Sequence, residues 1–137
     1  MDFILDWLAL GNAADGTAPT EPIGALLCVA EELALPATTL PFHKVAIPDF
    51  RPIAAPQLRE AIAWIETQVP RRRVLVYCNA GVGRSTSVVI GYLCVAAGMG
   101  FGQAVEFVAR KRPHMSILPE LLTAIERLRA ERVKGQC

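Results

Sequence analysis

Apolar residues in this chain follow two rhythms: short unbroken runs, and longer stretches in which they recur every three or four positions. The runs Ile4 to Leu10, Ile23 to Ala30, Phe42 to Ile47 and Val74 to Tyr77 predict strands. The first stops at Gly11-Asn12, a turn signal, and residues 11–22, with Gly, Asn, Asp, Thr and two prolines, predict an irregular connection. Glu31-Glu32-Leu33 predicts a short helical turn, and Pro36 and Pro41 bracket another irregular piece. From Ala55 the period lengthens. Leu58, Ile62, Ile65 and Val69 share one helical face, Pro56 suits a helix first turn, and Pro70 ends the pattern. Arg71-Arg72-Arg73 then predicts a solvated turn.

Past Tyr77 the pattern is helical. Residues 84–97 are apolar almost all round, which predicts a buried helix, with Gly98 as its stop. Gln103 to Arg110 predicts a further helix, halted by Arg112-Pro113. Leu118 to Val133 predicts the last, with Leu121, Leu122, Ile125 and Leu128 on one face. Strands alternating with helices, followed by a helical C-terminal third, predict an α/β fold. Its central, mostly parallel sheet of about four to five strands is flanked by helices. The loop after Tyr77 then lies at the carboxyl end of the central strand, where open α/β sheets bind ligands.

Composition narrows the function classes. The 137 residues predict one domain, 1–137, with a core of its own: hydrophobic residues are 53% and charged residues 20%. A net charge of +1 argues against a nucleic-acid footprint, so any attraction for an anion is local. Met1 to Trp7 carries two acids and no basic segment, unlike a secretion signal, and no run approaches the ~20 apolar residues of a membrane span. Cysteines 28, 78, 94 and 137 show neither C-x-x-C pairing nor zinc spacing with His43 or His114, so no metal or cofactor is expected. Cys28 and Cys94 sit in apolar runs, as reduced thiols of a cytoplasmic protein do.

The chemistry concentrates in Cys78-Asn79-Ala80-Gly81-Val82-Gly83-Arg84-Ser85. A strand that feeds a glycine-bearing loop opening into a helix N-terminus holds anions: inward backbone N–H groups and the helix dipole supply positive charge. Five residues separate Cys78 from Arg84, enough to wrap a tetrahedral anion. The planar arginine fork takes two phosphate oxygens at once. A cysteine attacks as its thiolate, which such electropositive surroundings favour. Gly81 and Gly83 allow close backbone approach, and the Ser85 hydroxyl can donate to the sulfur. There is no Gly-Lys-Ser/Thr, so this is not a nucleotide-binding phosphate loop.

This loop resembles the signature of cysteine-based protein tyrosine phosphatases, specifically the small dual-specificity branch. Val45-Ala46-Ile47-Pro48-Asp49-Phe50 resembles that branch's general-acid segment. Trp7 to Gly11, Val88 to Leu93 and Ala104 to Pro113 are similar in the same order, so the likeness covers nearly the whole chain. It implies a phosphotyrosine protein phosphatase-like fold and metal-independent hydrolysis in two steps. Cys78 attacks phosphorus, Arg84 and the amides of Asn79, Ala80, Gly81, Val82 and Gly83 hold the oxygens, and Asp49 protonates the leaving group and then activates water. The implied substrates are phosphotyrosine and phosphoserine or phosphothreonine in proteins, acted on by a monomer. The alternatives are a phospholipid or other small phosphoester substrate, a phosphate-binding module with little turnover, and a sulfur-transfer or arsenate-reducing enzyme. Three features depart from the family pattern. Tyr77 stands where histidine is usual, Leu118 stands where an asparagine often braces the loop, and the longer N-terminal region of tyrosine-specific relatives is missing. A shallow pocket is the expectation. Cys28, if it ended a strand beside Cys78, would be a candidate redox partner.

Overall fold

The computed structural model describes residues 1–20 and 22–135; Cys137 lies outside the described residues. Five strands form one sheet in the order β1-β2-β5-β3-β4: β1 (Asp2–Leu5), β2 (Leu8–Gly11), β3 (Ile23–Cys28), β4 (Phe42–Lys44) and β5 (Arg73–Tyr77). Only β1 and β2 pair antiparallel; β2 with β5, β5 with β3 and β3 with β4 all run parallel. Strands 2, 3 and 5 are almost wholly buried, which is why they read as unbroken apolar runs rather than alternating ones.

Helices α1 (Ala13–Thr17), α2 (Ala55–Gln68), α3 (Arg84–Val95), α4 (Phe101–Lys111) and α5 (Leu121–Gly135) complete the chain. α3 lies over β5 and β2 and touches α2, α4 and α5, so it is surrounded. Every residue from Arg84 to Cys94 is buried, and Gly98, at φ +75°, turns the chain away as Met99 N–H donates back to the Leu93 carbonyl.

The sheet and the buried helix match the sequence reading; several details do not. Ile4 to Leu10 is a hairpin rather than one strand, reversing at Asp6-Trp7 with Leu5 opposite Leu8. Residues 11–22 contain the one-turn helix α1. Asn12 accepts from the Asp15 amide and Asp15 accepts from the Asn12 amide, a reciprocal cap that holds a helix too short to show a period. Phe42 to Ile47 forms a strand only to Lys44. Arg73 belongs to β5 rather than to the turn before it. Glu31-Glu32-Leu33 makes a turn and no helix. The last helix starts at Leu121, because Glu120 adopts φ +62°. Leu118 stays in an irregular segment, buried beside the loop.

Candidate active site

β5 occupies the middle of the sheet, and three neighbouring connections leave from the same, carboxyl, edge. The end of β2 supplies Gly11, the turn after β3 supplies Glu32, and the segment after β4 supplies Asp49. They converge on the loop 78–83, which runs from β5 into the first turn of α3.

Cys78 is 2% exposed. Its Sγ lies 3.3 Å from the Ser85 Oγ, and that hydroxyl is also 3.5 Å from the Gly11 carbonyl oxygen. The loop is braced from outside. Ala13 N–H donates to the Asn79 carbonyl, Ser116 N–H to the Val82 carbonyl, and the Arg112 Nε–H to the Gly81 carbonyl at 2.8 Å while its Nη1 bonds Asp2. The carbonyls are thus turned outward, and among the described residues the amides of Asn79 to Arg84 donate to no protein acceptor. That is the arrangement an anion cradle requires. Gly81 sits at φ +70°, and a Cβ there would lie 2.8 Å from the Gly11 backbone, so only glycine fits. Ser87 Oγ–H donates to the Gly83 carbonyl and accepts from the Leu118 amide, fixing the start of α3. The bracing expected of an asparagine side chain at 118 is thus supplied by the Leu118 backbone through Ser87.

Arg84 opens α3 directly after the loop. It is 2% exposed, yet its guanidinium makes three bonds: Nη1 and Nη2 to the two Glu32 oxygens at 2.6 and 2.7 Å, and Nη1 to the Ile47 carbonyl at 3.1 Å. The Asp49 Oδ2 is 3.6 Å from Nη2, and the buried Nε has no partner. Hydrogen bonding to Glu32 raises the Arg84 pKa further, against the opposing effect of burial, helped by the nearby charges of Asp49 and Cys78. The same hydrogen bond holds the Glu32 carboxyl well below the carboxylate range, at about 2.

Asp49 stands at the mouth, where its Oδ1 accepts from the Phe50 amide at 3.0 Å. Phe50 has φ +57° and is 89% exposed, so the turn displays its ring rather than burying it. Asp49, Phe50, Cys78, Gly83, Ile117 and Leu118 line a cavity of about 440 Å³. The sequence-derived residues Cys78, Arg84, Ser85 and Asp49, with loop residues 79–83, are therefore gathered at one place. Glu32 is the residue sequence reasoning missed. Its signal was an acid just past the apolar strand β3, which flanks the strand carrying the cysteine.

Tyr77 and Cys28 belong to a different layer. They are register partners in β3 and β5, so their side chains share a sheet face, and alternation turns Cys78 to the other. The Tyr77 ring packs on α1, where a Cβ at Gly16 would come within 2.6 Å of it. Burial, with the adjacent Cys28 thiol, pushes its phenol pKa up. Cys28 Sγ instead faces the Ala30 carbonyl at 3.8 Å. Both thiols are free, and Cys28 lies in register with Tyr77 rather than with Cys78. His114 lies beside the loop next to Arg112, in a cavity separate from the one that Cys78 lines.

Residues 35–129 match the family described as dual specificity phosphatase, catalytic domain. A mouse protein, dual specificity protein phosphatase 13B, is 32% identical over 104 residues, which is 74% of this chain and 49% of that protein. Human dual specificity protein phosphatase 4 is 37% identical over 68 residues, or 46% of this chain and 17% of that protein. The chain thus spans about half the length of the first relative and less of the second. Among solved structures, Tk-PTP in its active form superposes with TM-score 0.80 at 26% identity, covering 94% of this chain and 95% of that one. Human DUSP28 superposes with TM-score 0.85 at 21% identity over all of both chains, a likeness of fold.

Proposed function

The chain belongs to the dual specificity phosphatase catalytic-domain family, and from that premise we propose that it hydrolyses phosphoesters through a phosphocysteine intermediate. The substrates in this reading are phosphotyrosine and phosphoserine or phosphothreonine in proteins. The observation that carries it is a buried thiol and a carboxylate lining one cavity, with an arginine of unpartnered Nε 3.6 Å from that carboxylate.

The chemistry follows from the positions. The phosphate's equatorial oxygens take the loop amides and the free side of Arg84, which places phosphorus against Cys78 Sγ. The S–P bond forms as the ester O–P bond breaks, and Asp49 gives its proton to the departing oxygen. Water then attacks phosphorus, Asp49 takes back a proton, and the S–P bond breaks to release inorganic phosphate. Ser85 Oγ–H stabilises the thiolate as it leaves. Phe50 and Ile117 give the mouth an apolar wall suited to an aryl ester.

The proposal includes a single catalytic domain acting as a monomer in a reducing, cytoplasmic setting, without nucleic acid. Three free cysteines buried among the described residues and a net charge of +1 support this. Among the described residues no helix is long and apolar enough to cross a membrane. Turnover of p-nitrophenyl phosphate and phosphopeptides, abolished by Cys78→Ser and blocked by orthovanadate, is the expected result. Phosphate binding without turnover would instead make the chain a binding module.

A further inference from the structure

The end of the molecule opposite the loop carries charges that the hydrolytic site does not use. Strands β2 and β5 begin there and helices α2 and α3 end there. That edge therefore gathers the Asp6-Trp7 reversal, Arg71, Arg72, Arg73 and the last turn of α3. Hydrogen bonds tie these pieces together. Val74 N–H donates to the Trp7 carbonyl at 2.9 Å, and Arg73 Nε–H to the Asp6 carbonyl at 3.0 Å. The Trp7 indole N–H donates to the Tyr92 hydroxyl at 3.2 Å. Arg72 lies beside Gly24 of β3, where an added Cβ would be 3.4 Å from its own.

The three arginines are exposed, and among the described residues none of them is in ion-pair reach of a carboxylate. Elsewhere the protein matches its arginines: Arg59, Arg84, Arg110, Arg112, Arg127 and Arg132 each face an acid. Adjacent like charges repel one another, and a facing polyanion turns that cost into attraction. Trp7 is 39% exposed although its one polar atom is already bonded to Tyr92. A ring so placed suits the boundary between water and an apolar phase. Beyond Tyr92, residues 96–102 carry no charge, and a Cβ at Gly98, Gly100 or Gly102 would meet nothing within 4 Å. No charged side chain of that segment holds a flat surface away.

We propose that this edge docks on an anionic lipid surface, with Arg71, Arg72 and Arg73 against the headgroup charges and the Trp7 ring in the interface. A nucleic acid would ask for phosphate contacts spread over a wider face than a chain of net charge +1 offers. A lipid surface uses both parts of the patch, the charges and the ring. Each arginine near such a surface adds about fivefold in partition, so the contact is reversible and sensitive to salt. β5 separates Arg73 from Cys78 by about 16 Å, at about 3.3 Å per residue. The docked molecule therefore turns its catalytic mouth away from the lipid, towards esters arriving from water. This goes beyond phosphoester hydrolysis and does not rest on it.

Sedimentation of the whole chain with vesicles tests it, using phosphatidylcholine alone and phosphatidylcholine mixed with phosphatidylserine. Binding to the mixed vesicles, absent on the neutral ones and lost at raised salt, is the expected result. Arg71→Gln with Arg72→Gln is expected to weaken it about 25-fold. Arg51→Gln with Arg110→Gln removes the same charge near the loop end and is expected to leave binding about unchanged. In a Trp64→Phe chain Trp7 is the sole tryptophan, and its emission is expected to shift to the blue on the mixed vesicles. No binding, equal binding to both vesicles, equal weakening by the two double variants, or an unshifted Trp7 in bound protein would each overturn the proposal. So would tighter binding of duplex DNA or polyglutamate at the same salt, which would assign the arginines to another polyanion. Vesicle binding by a chain that turns over no phosphoester defeats the phosphatase reading alone and leaves this one standing.

Discussion

The Ser85 hydroxyl sits between two acceptors, and the protonation state of Cys78 decides which it serves. Beside a thiol, Sγ–H donates to Oγ at 3.3 Å and the hydroxyl hydrogen points to the Gly11 carbonyl at 3.5 Å. Beside a thiolate, the hydroxyl must turn and donate to sulfur. The residue is 0% exposed, so no water replaces it at once. A hydrogen bond to a charged group is worth about 1.5–3 kcal/mol, which is a factor of about 10–150 in rate on the step that needs it. Sulfur is neutralised by bonding to phosphorus in the intermediate and regains its charge only as the intermediate breaks. Ser85→Ala therefore slows breakdown by about that factor. Formation is affected far less, because the attacking sulfur is losing charge. Rapid-quench kinetics with p-nitrophenyl phosphate should show a burst of nitrophenolate of nearly one equivalent, followed by a slow steady state. Equal slowing of both steps with no burst, or a steady-state rate within threefold of wild type, would refute the reasoning.

Asp49→Asn removes the proton donor, so phenyl phosphate, with a poor leaving group, should slow about 100-fold or more, and p-nitrophenyl phosphate much less; equal slowing would show that the carboxyl is not the acid. Arg84→Lys keeps the charge but loses the planar fork, and is expected to lower kcat/KM about 100-fold or more with inorganic phosphate binding lowered in parallel. Gly81→Ala forces a side chain to φ +70° against the Gly11 backbone. Conformation alone costs about 1–2 kcal/mol, or about 4–8 °C in Tm, and an unchanged melting temperature would contradict the loop geometry. The Glu32 carboxyl, held at about 2 against 4.5 unfolded, stabilises the fold fully above pH 4.5. That contribution is lost as the pH falls towards 2. Urea titrations across that window should show a shallower loss for Glu32→Gln than for wild type.

What the sequence made legible was whatever the local chain determines. The loop 78–85 could be read because its residue types and spacing are themselves the chemistry. The buried helix α3 could be read because burial on all sides leaves an apolar stretch with no polar face. Asp49 was reachable through its own segment. Less legible were features made by pairing or by caps. The β1–β2 reversal occupies only Asp6 and Trp7, with no glycine to mark it, so two strands looked like one. Helix α1 depends on two reciprocal side-chain bonds rather than on a period. Glu32 acquires its role only when the turn after β3 is laid beside the loop after β5, and no spacing in one dimension announces that. Tyr77 shows the converse. It looked like a substitution within the site, but the alternation of β5 turns its ring to the opposite face, onto Gly16 of α1.

The shared edge at which β2, β3, β4 and β5 deliver their connections would make the proposed hydrolysis a reporter of finished folding. Glu32 and Asp49 leave the ribosome before the thiol they serve, while Arg112 and Ser116, which turn the loop carbonyls outward, follow it by more than a helix's length. The residues of the apparatus are spread from Gly11 to Ser116, so a chain in which those distant contacts have not formed carries a cysteine with neither cradle nor acid. The proposed activity would therefore count completed molecules, and an aryl phosphate in a refolding mixture would time the closing of the last contacts rather than the first collapse.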